Sequence, residues 1–143
     1  MKNFMFLLLP LPLILLWLFK GSDKNATLPV KDYNECVQKI TTKWGEPNMK
    51  CEYYIGHKRD FSDTYTVFLK NVCDENIDLK CCVQEQEKHL GWRCITRMEL
   101  KPNDTLVSYA CKGKGKYLFW ARRAGDREIE LPTDEQVKAQ YKE

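Results

Sequence analysis

Ile77-Asp78-Leu79-Lys80-Cys81-Cys82-Val83-Gln84 alternates apolar and polar residues, with paired cysteines near its end. Side chains on a strand point to opposite faces with a period of two. Ile77, Leu79, Cys81 and Val83 therefore share one face, and Asp78, Lys80, Cys82 and Gln84 the other. The adjacent cysteines face opposite ways. Cys81 falls on the apolar face, where a thiol behaves as a small buried hydrophobe. Cys82 falls on the polar face, where a disulfide needs a partner on the neighbouring strand. Glu85 to Leu90 reads as a charged loop, and Gly91 to Arg97 as the returning strand. With Gln84 opposite Trp92, Cys82 lies opposite Cys94, at a Cα separation of about 4.5 Å that a disulfide can span. The expectation is a Cys82–Cys94 bridge with Cys81 as a free thiol. The alternative, a vicinal Cys81–Cys82 redox bond, needs a distorted peptide, and no base or helix N-terminus stands nearby in sequence to activate a thiol.

Outward from this strand the pattern repeats. Thr64–Val72, Thr105–Lys112 and Lys116–Arg123 alternate in the same way, with turn residues at Asp74-Glu75-Asn76, Leu100-Lys101-Pro102-Asn103-Asp104 and Ala124-Gly125-Asp126. Lys116–Arg123 carries large residues on both faces, which suits a central strand. Lys112-Gly113-Lys114-Gly115 reads as the hairpin turn before it. Glu52–His57 and Glu128–Leu131 are weaker strand candidates. Asp32–Lys43 reads as a short helix, with Val37 and Ile40 at helical spacing. Thr133-Asp134-Glu135-Gln136 is a capping box that opens a final helix to Tyr141. These elements make an all-β fold: a small disulfide-stapled antiparallel β-sandwich over residues 32–132, with a short C-terminal helix and tail over 133–143. Of the cysteines left, Cys36 and Cys51 are neighbours in sequence, and a bridge between them would staple the first segment to the sheet for about 3 kcal/mol. Cys73 is then left for Cys111.

All seven cysteines follow an apolar leader. Phe4 to Phe19 is uncharged and flanked by Lys2 and Lys20. It is longer than the core of most signal peptides and at the short edge for a spanning helix. Residues 1–20 are therefore a signal peptide or an N-terminal membrane anchor. The lack of a small-x-small site after Phe19 favours the anchor, a hydrophobic helix joined to the domain by a polar linker at 21–31. Both readings export the domain, to the cell envelope or the medium, where disulfides persist. The 23 basic and 20 acidic residues nearly balance, and no nucleic-acid partner is implied.

The sequence carries no recognisable catalytic set. Ser62 lies near His57, Asp60 and Asp63, but no nucleophile elbow or oxyanion-forming glycine follows. Asp60 with Asp63, or Glu85 with Glu87, reads as solvated loop acids before it reads as a glycosidase pair. Cys36, Cys51 and His57 lack the fourth ligand and tight spacing of a zinc site. No cofactor or metal is expected, and the chain reads as a non-enzyme. Two binding surfaces are candidates. Trp92, Tyr109, Tyr117 and Trp120 could form an aromatic platform for sugar rings. Lys112, Lys114, Lys116, Arg122 and Arg123, with Arg127, could dock an anionic polymer or protein. A glycan or protein partner is thus expected, with the membrane as a further partner through residues 4–19 if the leader stays.

The run Asn71-x-Cys73, Ile77-x-Leu79, Cys82-Val83, Gly91-Trp92-x-Cys94, Leu100-x-Pro102, Tyr109-x-Cys111, Gly115-x-Tyr117, Trp120-Ala121-Arg122 and Ala124-Gly125-Asp126 resembles a group of small exported bacterial cysteine-containing β domains of uncharacterised function. The resemblance covers about residues 61–132. It implies a cell-envelope or secreted location and assigns no catalytic residue.

Overall fold

The computed structural model describes residues 30–86 and 91–142; the leader, most of the linker, Glu87 and His89 lie outside them. Eight strands are arranged in chain order: β1 (Val37–Trp44), β2 (Tyr54–Ile55), β3 (Lys58–Arg59), β4 (Tyr65–Asn71), β5 (Ile77–Glu85), β6 (Trp92–Leu100), β7 (Thr105–Ala110) and β8 (Gly113–Arg123). Among the described residues one α-helix, α1 (Asp134–Gln140), follows. The strands form two three-stranded antiparallel sheets, ordered β1-β4-β7 and β6-β5-β8, and β2 and β3 pair only with each other. The fold is all-β, as the alternation requires.

The core lies between the two sheets. Tyr65, Val67 and Leu69 of β4 and Leu106 and Ala110 of β7 meet Ile77, Leu79, Cys81 and Val83 of β5. Tyr117 and Phe119 of β8 pack at its margin, with their ring centroids 6.5 Å apart. Cys81 is fully buried in this layer, and the Ser108 hydroxyl donates to its carbonyl oxygen at 3.3 Å. Its neighbour Cys82 pairs in register with Cys94 and is bridged to it. The face argument and the hairpin register thus place both sulfurs correctly.

The remaining bridges differ from the expectation. Cys36 is joined to Cys73, and Cys51 to Cys111. The cause is the first segment. Only Tyr33–Cys36 is helical, a single 3-10 turn capped by the Asp32 carboxylate; Val37 onward is strand β1. A bulge between Lys39 and Thr41 interrupts its register with β4, so the strand's apolar positions fall at helical rather than alternating spacing. Once β1 pairs antiparallel with β4, Val37 faces Asn71. Cys36, just before one strand, then lies beside Cys73, just after the other, and the Val72 N–H donates to the Cys36 carbonyl. Cys51 reaches Cys111 because its loop returns to β4, whose Tyr65 pairs with Ala110. Each closed loop, of separation 37, 60 and 12, restricts the unfolded chain by about 3–4 kcal/mol.

Three further elements are corrected. β8 is an edge strand, and β5 is the central one. Gly113 and Gly115 belong to β8 rather than to a hairpin turn, because the chain crosses between sheets after β7. A Cβ on Gly113 would come within 2.4 Å of the Tyr65 Cβ, so that glycine serves a close approach and not a turn. Residues Glu128–Leu131 form no strand; the loop is held by Arg122, whose guanidinium donates to the Ile129 carbonyl at 2.7 Å. The expected strand at Glu52–His57 is instead half of the small β2–β3 hairpin, turning at Gly56 with φ +61°.

Asn71 shows how a buried polar residue fixes a corner. Its amide donates to the Glu75 and Leu100 carbonyls, and its carbonyl oxygen accepts from the Cys73 N–H. A fully buried side chain with its polar atoms paired costs little to hide and fixes one geometry.

Candidate functional site

The outer face of the β6-β5-β8 sheet is covered by α1, which borders two depressions. The helix forms where the capping box was read. Thr133 Oγ1 accepts from the Gln136 N–H, and the Gln136 side chain accepts from the Thr133 N–H. Val137 and Tyr141, one turn apart, face the sheet. Val137 is buried against Cys82 and Trp92. Lys80 reaches out from β5 to pair with Asp134. The Trp92 indole N–H donates to the Tyr141 carbonyl at 3.1 Å. The Tyr141 ring lies 6.2 Å from that of Trp92 and 6.1 Å from that of Trp120. Its residues thus bring two tryptophans from different strands into one aromatic group.

Beside the helix end and β8 is a cleft of about 690 Å³. Trp92, Leu118 and Tyr141 supply apolar surface, and Gln84, Gln140, Lys116 and Lys142 supply polar groups. A second depression of about 570 Å³, lined by Trp120, Pro132, Gln136 and Gln140, lies on the other side of Gln140. Among the described residues that line the first cleft there is no serine, cysteine, histidine or carboxylate. Its chemistry is that of ring faces next to amides and two ammonium groups, which suits a polyhydroxylated ligand stacked by its C–H face and held by its hydroxyls.

The four aromatics expected as one platform separate. Trp92 and Trp120 meet through Tyr141, and Tyr117 lines the cleft while packing on Phe119. Burial pushes the Tyr117 phenol above its usual pKa, helped by Tyr65 and Cys81 nearby. Tyr109 is elsewhere, buried beside the Cys51–Cys111 bridge with the Arg93 guanidinium 5.1 Å from its ring centre. The basic group also disperses, because Lys112 precedes β8 and the register of β8 with β5 shifts between Gly113 and Tyr117. Lys112 lies 4.1 Å over the Tyr53 ring, Lys114 is half-buried, and Lys116 is exposed at the cleft. Arg122 donates to buried Asp78 at 3.0 Å. Arg123 is exposed, 4.0 Å from Glu75. Tyr141 and Gln140 were missed as site residues; the signal was present in the one-turn spacing of Val137 and Tyr141 behind a capping box.

The other candidate groups line neither depression. Ser62 Oγ donates to Asp60 at 3.0 Å within one loop, and His57 is exposed on the β2–β3 hairpin. Glu85 is buried and accepts from Arg93 and from the Cys111 and Lys112 backbone N–H groups. Among the described residues no three potential ligands converge on a metal site, and no helix is long and apolar enough to cross a membrane. Comparison of the chain with protein-family models, curated proteins and solved structures returned no match.

Proposed function

We propose that this protein is an exported, non-catalytic binding module, held at the cell envelope by its leader or released, whose ligand occupies the cleft between α1 and β8. Three bridges fit an oxidising compartment, and the resemblance to exported bacterial β domains points the same way. The observation that carries the reading is the lining of the cleft: the rings of Trp92, Tyr117 and Tyr141 beside the Gln84 and Gln140 amides and the Lys116 and Lys142 ammonium groups. Its floor includes Gln84 of β5 and Trp92 of β6, strands paired in register and bridged to each other, which supports a pre-organised site. Pre-organised pockets with a few convergent polar groups are where ligands bind.

A saccharide is the ligand class favoured by the Trp120–Tyr141 pair at the junction of the two depressions. The test is a glycan array probed with the full chain, followed by titration of any hit. Trp120→Ala should weaken binding about tenfold or more, with the three bridges intact by non-reducing peptide mapping. Binding unaffected by Trp120→Ala but abolished by salt and by Lys116→Gln would replace the saccharide with an anionic ligand. An array without hits, together with intrinsic fluorescence unchanged by any glycan tested, would leave a structural module in place of a binding one.

A further inference from the structure

The β2–β3 hairpin stands outside both sheets, and its end gathers exposed apolar side chains among basic ones. Met49 is 76 %, Tyr54 57 % and Ile55 71 % exposed. Lys50, His57 and Lys58 are exposed around them. From Asn48 to Arg59 there are three basic residues (Lys50, Lys58, Arg59) and one acid, Glu52.

This end is held in shape. The Arg59 guanidinium donates to the Tyr54 hydroxyl at 3.2 Å and to the Met49 carbonyl at 3.1 Å, with its centre 5.9 Å from the Tyr54 ring. The Asp60 N–H donates to the Tyr53 carbonyl at 2.8 Å, and the loop's base is bridged to Cys111 through Cys51. A two-stranded hairpin is marginal by itself; here a cation and a disulfide fix it with its apolar side chains turned outward.

We propose that the 49–59 tip contacts an anionic lipid bilayer, placing Met49, Tyr54 and Ile55 among the headgroups while Lys50 and Lys58 meet lipid phosphates. Charge and size select this occupant. Cations near a membrane surface are attracted to anionic lipid, and tyrosine favours the interface because one end is apolar and the other wet. Three side chains on a convex tip fall well short of the ~800 Å² per partner that a stable protein interface buries. They suffice for a shallow contact.

The test uses the full chain in vesicles of phosphatidylcholine, alone or mixed with phosphatidylglycerol. An environment-sensitive fluorophore is placed on Ile55→Cys, with Thr96→Cys on exposed β6 as the reference; Cys81 is buried and does not compete for label in the folded protein. Peptide mapping confirms that the three bridges are unchanged in each variant. The expected result is a blue shift at position 55 only, only with the anionic lipid, and reversed by salt. Lys50→Gln and Lys58→Gln should each lower the shifted population about fivefold. Identical emission at position 55 in both vesicle types overturns the proposal, as does an equal shift at position 96. A shift that follows protein concentration and ignores lipid charge assigns the tip to a second copy of the chain and overturns it too.

Discussion

The middle strands of the two sheets have similar patterns but different surroundings. On the outward face of β4, Phe68 and Lys70 stay half-exposed and only Thr66 is buried. On β5, the outward residues Asp78, Lys80, Cys82 and Gln84 are all buried. Alternation implies a solvated polar face for both strands, and β5 departs from it because the chain returns over that face as α1 and the loop before it. Burial is tolerable there because the charges are paired. Asp78 accepts from Arg122 and from the backbone N–H groups of Glu99 and Gly125, and Lys80 meets Asp134. The lesson is that a strand's polar face can be the foundation of a third layer when every charge on it has a partner.

The sharpest way to break this comparison is Asp78→Ala. It leaves Arg122, whose side chain is largely buried, without its carboxylate, and withdraws the acceptor from Glu99, which sits at φ +53° in the β6 bulge. The expected loss is about 3–5 kcal/mol in denaturant unfolding. Lys70→Ala on the open face of β4 should stay within about 0.5 kcal/mol. Equal losses would mean that the two faces do not differ in energy.

The inner face offers the second test. Burial pushes the Cys81 thiol from 9.0 up to about 12, offset only in part by the Ser108 side chain. The folded pKa is raised above the unfolded one, so the folded state binds a proton that the unfolded state has released. This contribution is fully present below pH 9 and is lost progressively as pH rises towards 12. Between those limits the wild type should lose about 2–4 kcal/mol more stability than Cys81→Ala. Parallel pH profiles for the two proteins would place the thiol in contact with water. A smaller loss than at Asp78 or Cys81 is expected at the helix cap: Thr133→Ala should cost about 1 kcal/mol and weaken the near-ultraviolet signal of Trp92, Trp120 and Tyr141 as the helix loosens from the sheet.

The errors in the cysteine pairing trace to one segment. Had Val37–Trp44 been read as a strand, its pairing with β4 would have brought Cys36 to Cys73 and released Cys51 for Cys111. The bulge at Ile40 hid the strand by breaking its period of two. Gly113 was misread for a related reason: a glycine in a turn and a glycine beneath another residue's Cβ look alike in sequence. The aromatic site was half legible. Trp92 and Trp120 stand out by type, but only the docked helix shows that Tyr141 joins them and that Tyr109 does not.

By itself the sequence determined what is local: the faces of β5, the Cys82–Cys94 register across a short hairpin, and the capping box of α1. Each follows from side-chain direction or from hydrogen bonds within a few residues. Tertiary structure decided what depends on contacts between distant segments: two of the three bridges, the edge position of β8, the layer over β5 and the cleft that this layer creates. Those choices are set by which surfaces meet in space, and no period along the chain encodes that meeting.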